Sequence, residues 1–136
     1  MMQKTFTQTN VTLAIGVVAL LLFTITTYRE AAGQGISKNS FQLTAKLFTA
    51  WVNTTNGAIN PTLNFKANSN QTIQIQNPTG FKHQLIIDLN GKQLATSGDL
   101  HSGSSGQVSI KPNMTGTFGY HCLYHPTTMK GIIQVH

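Results

Sequence analysis

After residue 40, apolar residues recur at alternate positions in short runs, and none of these runs sustains a 3.6-residue period. Phe41, Leu43, Ala45, Leu47 and Trp51 share one face of an expected strand, with an irregularity near Thr49. Leu63 alternates with Phe65, and Ile73 with Ile75. Phe81, His83, Leu85 and Ile87 make one face of the next strand, and Ile86 lends the other face some apolar character. Val108 and Ile110 repeat the pattern, then Phe118, Tyr120 and Cys122, and the chain closes on Ile132, Ile133 and Val135. Turn signals separate the runs: NTTNG, NSN, NPTG, Asn90-Gly91 and SGDLHSGSSG. Many short strands at this spacing predict an all-β, Greek-key β-sandwich over residues 41–136.

The start of the chain breaks the pattern. Residues 11–27 (VTLAIGVVALLLFTITT) carry no charge. At about 1.5 Å per residue they span roughly 25 Å, just short of a hydrocarbon core. One N-terminal transmembrane or signal helix is therefore expected within residues 1–28. A signal peptide would use Lys4 as its positive end and would need small residues before a cleavage site. Arg29 and Glu30 interrupt the alanines of TTYREAAGQG, which favours an uncleaved membrane anchor. Lys4 lies on one side of the segment and Arg29 and Lys38 on the other, a weak orientation signal. Residues 29–40 are polar with two glycines and read as a linker. Anchored or exported, the domain is expected on the extracytoplasmic side.

Charge narrows the partners. The net charge is +6, yet only 9% of residues are charged and the lysines stand singly. Nucleic-acid binding calls for a clustered basic stripe and is not expected. A dispersed positive surface suits solubility, or long-range attraction to an acidic partner protein. A single cysteine, Cys122, rules out a disulfide within the chain, so the fold must rest on its core.

The residues around that cysteine carry the chemistry. Tyr120-His121-Cys122-Leu123-Tyr124-His125-Pro126-Thr127-Thr128-Met129 places a thiol, an imidazole and a thioether at Cys-x2-His-x3-Met. With five histidines and four methionines in 136 residues, the chance of a His at +3 and a Met at +7 is about one in a thousand. A strand delivers Cys122, and a short loop containing Pro126 turns the chain so that His125 and Met129 can converge. Two imidazoles and a thiolate with a weak axial thioether suit copper. The missing imidazole should come from a distant strand, and His83, just after the NPTG turn, is the candidate.

At these residues the chain resembles the cupredoxins, the family of plastocyanin, azurin and halocyanin. NPTGFKHQLIID resembles the family's strand with the N-terminal ligand histidine. KPNMTGTFGYHCLYHPTTMKGIIQVH resembles its ligand loop and closing strands, and NFKANSNQTIQIQN the strand pair before the first ligand. The resemblance implies one mononuclear copper ion, cycling between Cu(I) and Cu(II), with His83, Cys122, His125 and Met129 as ligands. It also implies that the edge of His125 reaches an apolar surface patch, with Tyr124 and Pro126 beside it. Two features depart from the family. Gln84 stands where many members have an asparagine that ties the ligand loops together, and a three-residue gap separates His125 from Met129 where relatives commonly have two or four.

Other residues fall outside this set. Strand alternation sends His121 to the face opposite Cys122. His101 and His136 are expected in solvent, Met114 in a turn and Trp51 in the core. Sequons occur at Asn53, Asn70 and Asn113. Four protein ligands leave no open position for a small-molecule substrate, so a single-electron carrier between redox partner proteins is expected rather than an enzyme. The alternatives are copper storage or delivery, and an accessory subunit of a membrane redox complex. A dinuclear copper site of the oxidase type would need a second cysteine.

Overall fold

The structure, a computed structural model, describes residues 39–136. The apolar segment at 11–27 and most of the expected linker lie outside the described residues. Among the described residues no helix is long and apolar enough to cross a membrane.

Among the described residues nine strands form two sheets: β1 (Ser40–Lys46), β2 (Ala50–Asn53), β3 (Leu63–Phe65), β4 (Gln71–Gln76), β5 (Leu85–Leu89), β6 (Lys92–Thr96), β7 (Ser105–Ile110), β8 (Gly116–Cys122) and β9 (Lys130–Val135). One sheet runs β2-β1-β4-β7 and the other β3-β9-β8-β5-β6. The expected all-β sandwich is the observed fold. Its core is what a period of two supplies. Ile73 and Ile75 of β4 are buried against Leu85 and Ile87 of β5 and Phe118 and Tyr120 of β8 in one continuous cluster.

Two local expectations are corrected. The first run is a hairpin, not one strand. Thr49 N–H donates to Lys46 O (3.0 Å), and Leu47 takes a left-handed φ of 49° at the turn. Reversal of the chain leaves Leu47 and Phe48 half-exposed, while β2 returns Trp51 to the core opposite the small side chain of Ala45. Phe81 is also half-exposed, because pairing in β5 begins only at Leu85. Ile132 faces outward, and its neighbours Ile133 and Val135 fill the core. The polar run Lys92–Thr96, which has no apolar stripe, forms β6 through the turn at Asn90-Gly91, where both residues have positive φ.

Strand register positions the site. Leu85 of β5 pairs with Cys122 of β8. His83 lies two residues before Leu85 and is buried with it and Ile87, so it projects just beyond the end of β8. His83 is held there by a two-way backbone bridge to Leu100, at 3.0 and 2.7 Å. At β9, Gly131 opposes Tyr120. A Cβ at that position would collide with the Tyr120 ring, so glycine leaves the room in which that ring lies over β9.

Candidate metal centre

Alternation along β8 buries Phe118, Tyr120 and Cys122 on one face, so Cys122 is the last inward residue before the chain turns. The turn is tied by backbone bonds. His125 N–H donates to Cys122 O (3.2 Å), Met129 N–H to His125 O (3.0 Å) and Cys122 N–H to Met129 O (2.8 Å). Two further bonds hold the loop from outside. Asn60 Nδ2 donates to Thr128 O (2.8 Å), and Thr128 Oγ1 donates to Phe48 O (2.5 Å).

This arrangement converges on one point. Cys122 Sγ lies 3.7 Å from His83 Nδ1 and 3.6 Å from His125 Nδ1. The three donor atoms all lie within 4.8 Å of one another, and no other group of three such residues occurs among the described residues. With lengths of about 2.0 Å to imidazole and 2.3 Å to thiolate, as for zinc, a trigonal plane separates nitrogen from sulfur by roughly 3.7 Å. Both sulfur–nitrogen separations therefore fit ligation of one ion. Cys122, His83 and Met129 are completely buried, whereas His125 is half-buried. Met129, the expected fourth ligand, is buried at the end of the same loop, its backbone bonded to Cys122 and His125. A thiolate, two imidazoles and a neighbouring thioether are the donor set that favours copper. His83, Cys122, His125 and Met129 thus form a candidate copper site.

Burial holds the imidazole of His83 below its ordinary pKa, and the nearby His125 lowers it further. A neutral ring keeps a lone pair available for a metal. Trp51 packs edge-on against this ring, with centroids 5.9 Å apart. His121 points to the other face, as expected from alternation, and its Nδ1 meets Asp88 Oδ2 at 3.0 Å. His101 and His136 are exposed, and Met114 is half-exposed on the surface.

Gln84 does not reach across the site. Its side-chain amide donates to Thr96 Oγ1 (2.8 Å). The tie between the ligand segments comes instead from its backbone, where Gln84 O accepts Leu123 N–H (2.9 Å). Outside the site, Asp99 joins the residues that flank two ligands. It accepts Tyr124 O–H at 2.6 Å and pairs with Lys82 Nζ at 3.0 Å, while Lys82 sits 4.6 Å above the Tyr124 ring. The patch around His125 also contains two aromatics from other loops. Phe48 lies 6.3 Å from the His125 ring and 5.8 Å from Phe81. Spacing along the chain gave no sign of either.

No protein-family model and no curated protein matches this sequence. Solved structures do match its shape. Dithionite-reduced auracyanin from the photosynthetic bacterium Roseiflexus castenholzii superimposes with a TM-score of 0.59 at 14% identity, over 72% of this chain and 97% of that one. Rusticyanin from Thiobacillus ferrooxidans gives 0.58 at 21% identity, over 71% and 76%. Auracyanin A of Chloroflexus aurantiacus, described as a "blue" copper protein, gives 0.56 at 16% identity, over 71% and 98%. The described domain has the cupredoxin fold. At these identities the likeness is one of architecture. In this domain the candidate donor atoms lie where the β5 and β8 ends meet.

Proposed function

We propose that the chain is a single-electron carrier whose redox centre is one type 1 copper ion held by His83, Cys122, His125 and the thioether of Met129. The observation that carries this reading is the convergence of two imidazole Nδ1 atoms on one buried thiol, at 3.6 and 3.7 Å. Bound there, copper supplies a Cu(I)/Cu(II) couple and an intense thiolate-to-copper absorption. The protein supplies a preformed donor set on a rigid frame, which suits both oxidation states and keeps reorganisation small. Burial of Cys122, His83 and Met129 keeps water from the donors, and four protein ligands leave no position for a substrate.

His125 is the proposed port for electrons, because its ring alone among the imidazoles of the site is half-exposed and lies beside Phe48. The net charge of +6 favours redox partners with acidic faces. The apolar segment at residues 11–27 supports a carrier anchored on the extracytoplasmic side of a membrane. Cu(II) added to the full chain should produce an intense visible band at one equivalent and a reversible one-electron couple. Cys122→Ser should abolish the band. Stoichiometric copper binding without such a band would overturn the assignment.

A further inference from the structure

The buried side of His83 is lined by polar groups whose hydrogen-bond directions can be worked out one after another. Asn77 is 1% exposed. Its Nδ2 faces only carbonyl oxygens: Phe81 O at 2.7 Å, Leu100 O at 2.9 Å and His101 O at 3.1 Å. Carbonyls only accept, so the amide nitrogen must be on that side and Oδ1 on the other. Oδ1 in turn faces Thr79, accepting its backbone N–H at 3.1 Å and lying 2.7 Å from Thr79 Oγ1. Neither an amide nor a backbone oxygen can donate, so the single hydroxyl proton of Thr79 is directed at these acceptors and away from the ring, at Asn77 Oδ1 (2.7 Å) in preference to Phe81 O (3.3 Å). Thr79 Oγ1 then has only lone pairs left. One accepts Phe81 N–H at 3.2 Å. The other faces His83 Nε2 at 3.0 Å.

That last contact requires a proton on Nε2. A neutral imidazole carries one N–H, so the lone pair of His83 is then on Nδ1, the atom that faces Cys122 Sγ. We propose that Asn77 and Thr79 are positioning residues that set the tautomer of His83 before a metal arrives. Asn77 aims the Thr79 hydroxyl away from the ring, and the hydroxyl oxygen holds Nε2–H. Because Thr79 is only 8% exposed, water competes poorly for this bond. The relay also explains why the NPTG turn precedes the ligand so closely. The segment from Asn77 to His83 folds back on itself through Asn77 and Thr79, and the same bonds that shape the turn orient the ring.

The proposal rests on the copper-site reading for its purpose but not for its test. The full chain, labelled with nitrogen-15 and freed of metal, is observed by NMR at mildly alkaline pH. Ring-nitrogen shifts should show His83 as one species with Nε2 protonated and Nδ1 bare. A protonated Nδ1, or a mixture of the two tautomers, would overturn the proposal without any variant. Thr79→Ser, which keeps the oxygen, should preserve both the single tautomer and the affinity for Cu(I) measured against a chromophoric chelator. Thr79→Val, of similar shape but with no acceptor, should admit the second tautomer and weaken Cu(I) by about 10–100-fold, the usual range for partners of ligating histidines. Equal affinity in a folded Thr79→Val chain would also overturn it. A wild-type chain that shows the single tautomer but binds no copper would refute the copper reading and leave the relay standing.

Discussion

Two imidazoles reach the same sulfur from opposite kinds of surroundings. His83 is wholly buried, packed edge-on by Trp51 and bonded at its far nitrogen to Thr79. His125 is half-buried, beside the exposed ring of Phe48, and its far nitrogen has no hydrogen bond within the described residues. Their distances to Cys122 Sγ nevertheless differ by only a tenth of an ångström. Ligand position is thus decided separately from ligand environment. Backbone register places both nitrogens, and the packing behind each ring decides which one is locked and which one meets the surroundings.

The largest expected effect that separates them is a rescue experiment. His83→Gly and His125→Gly should each abolish the thiolate-to-copper band. Added imidazole should restore it in His125→Gly, whose gap opens to solvent, and fail in His83→Gly, whose gap is closed by the core. Equal rescue of both variants, followed by visible absorption, would erase the distinction.

A smaller effect follows from the buried ring alone. In the metal-free chain the folded-state pKa of His83 is lowered, chiefly by burial. Unfolding therefore takes up a proton between that lowered value and the ordinary value of about 6.5. The unfolded state binds more protons in this window, so stability should fall as the pH drops through it. Urea midpoints of the metal-free chain at pH 7.5 and pH 5.5 should show the loss, and His83→Gln should reduce it. An unchanged difference in the variant would assign the pH dependence to other groups. The smallest expected effect is at the proposed fourth ligand. Met129→Leu conserves volume in a fully buried position. It should keep the band and shift only its energy and the reduction potential, checked by spectroscopy and voltammetry.

Much of the fold could be read from the chain, because alternation is a local property. β4 and β8 bury the residues that a period of two selects, and His121 turns away from Cys122 for the same reason. Cys122 and His125 were legible too, since one short loop sets their separation. Alternation failed where the chain changed direction. Leu47 and Phe81 keep the periodicity of a strand but sit in a turn and before the start of pairing, so they end on the surface. Gln84 marked the departure from a side-chain tie in the sequence already, but that its backbone carbonyl makes the tie instead could not be read there, because any residue carries one. Asn77 and Thr79 look like ordinary turn residues in the chain, and their second role appears only when His83 is folded back against them.

By itself the sequence determined the donor types, the Cys-x2-His-x3-Met spacing and the alternating pattern of the sandwich, because each depends on neighbours a few residues apart. The tertiary structure alone decided that His83 joins them, since 39 residues separate it from Cys122 and only the β5–β8 register closes that distance. It also decided which ring is sealed and which is open, because burial is set by what the other strands and loops place around a side chain.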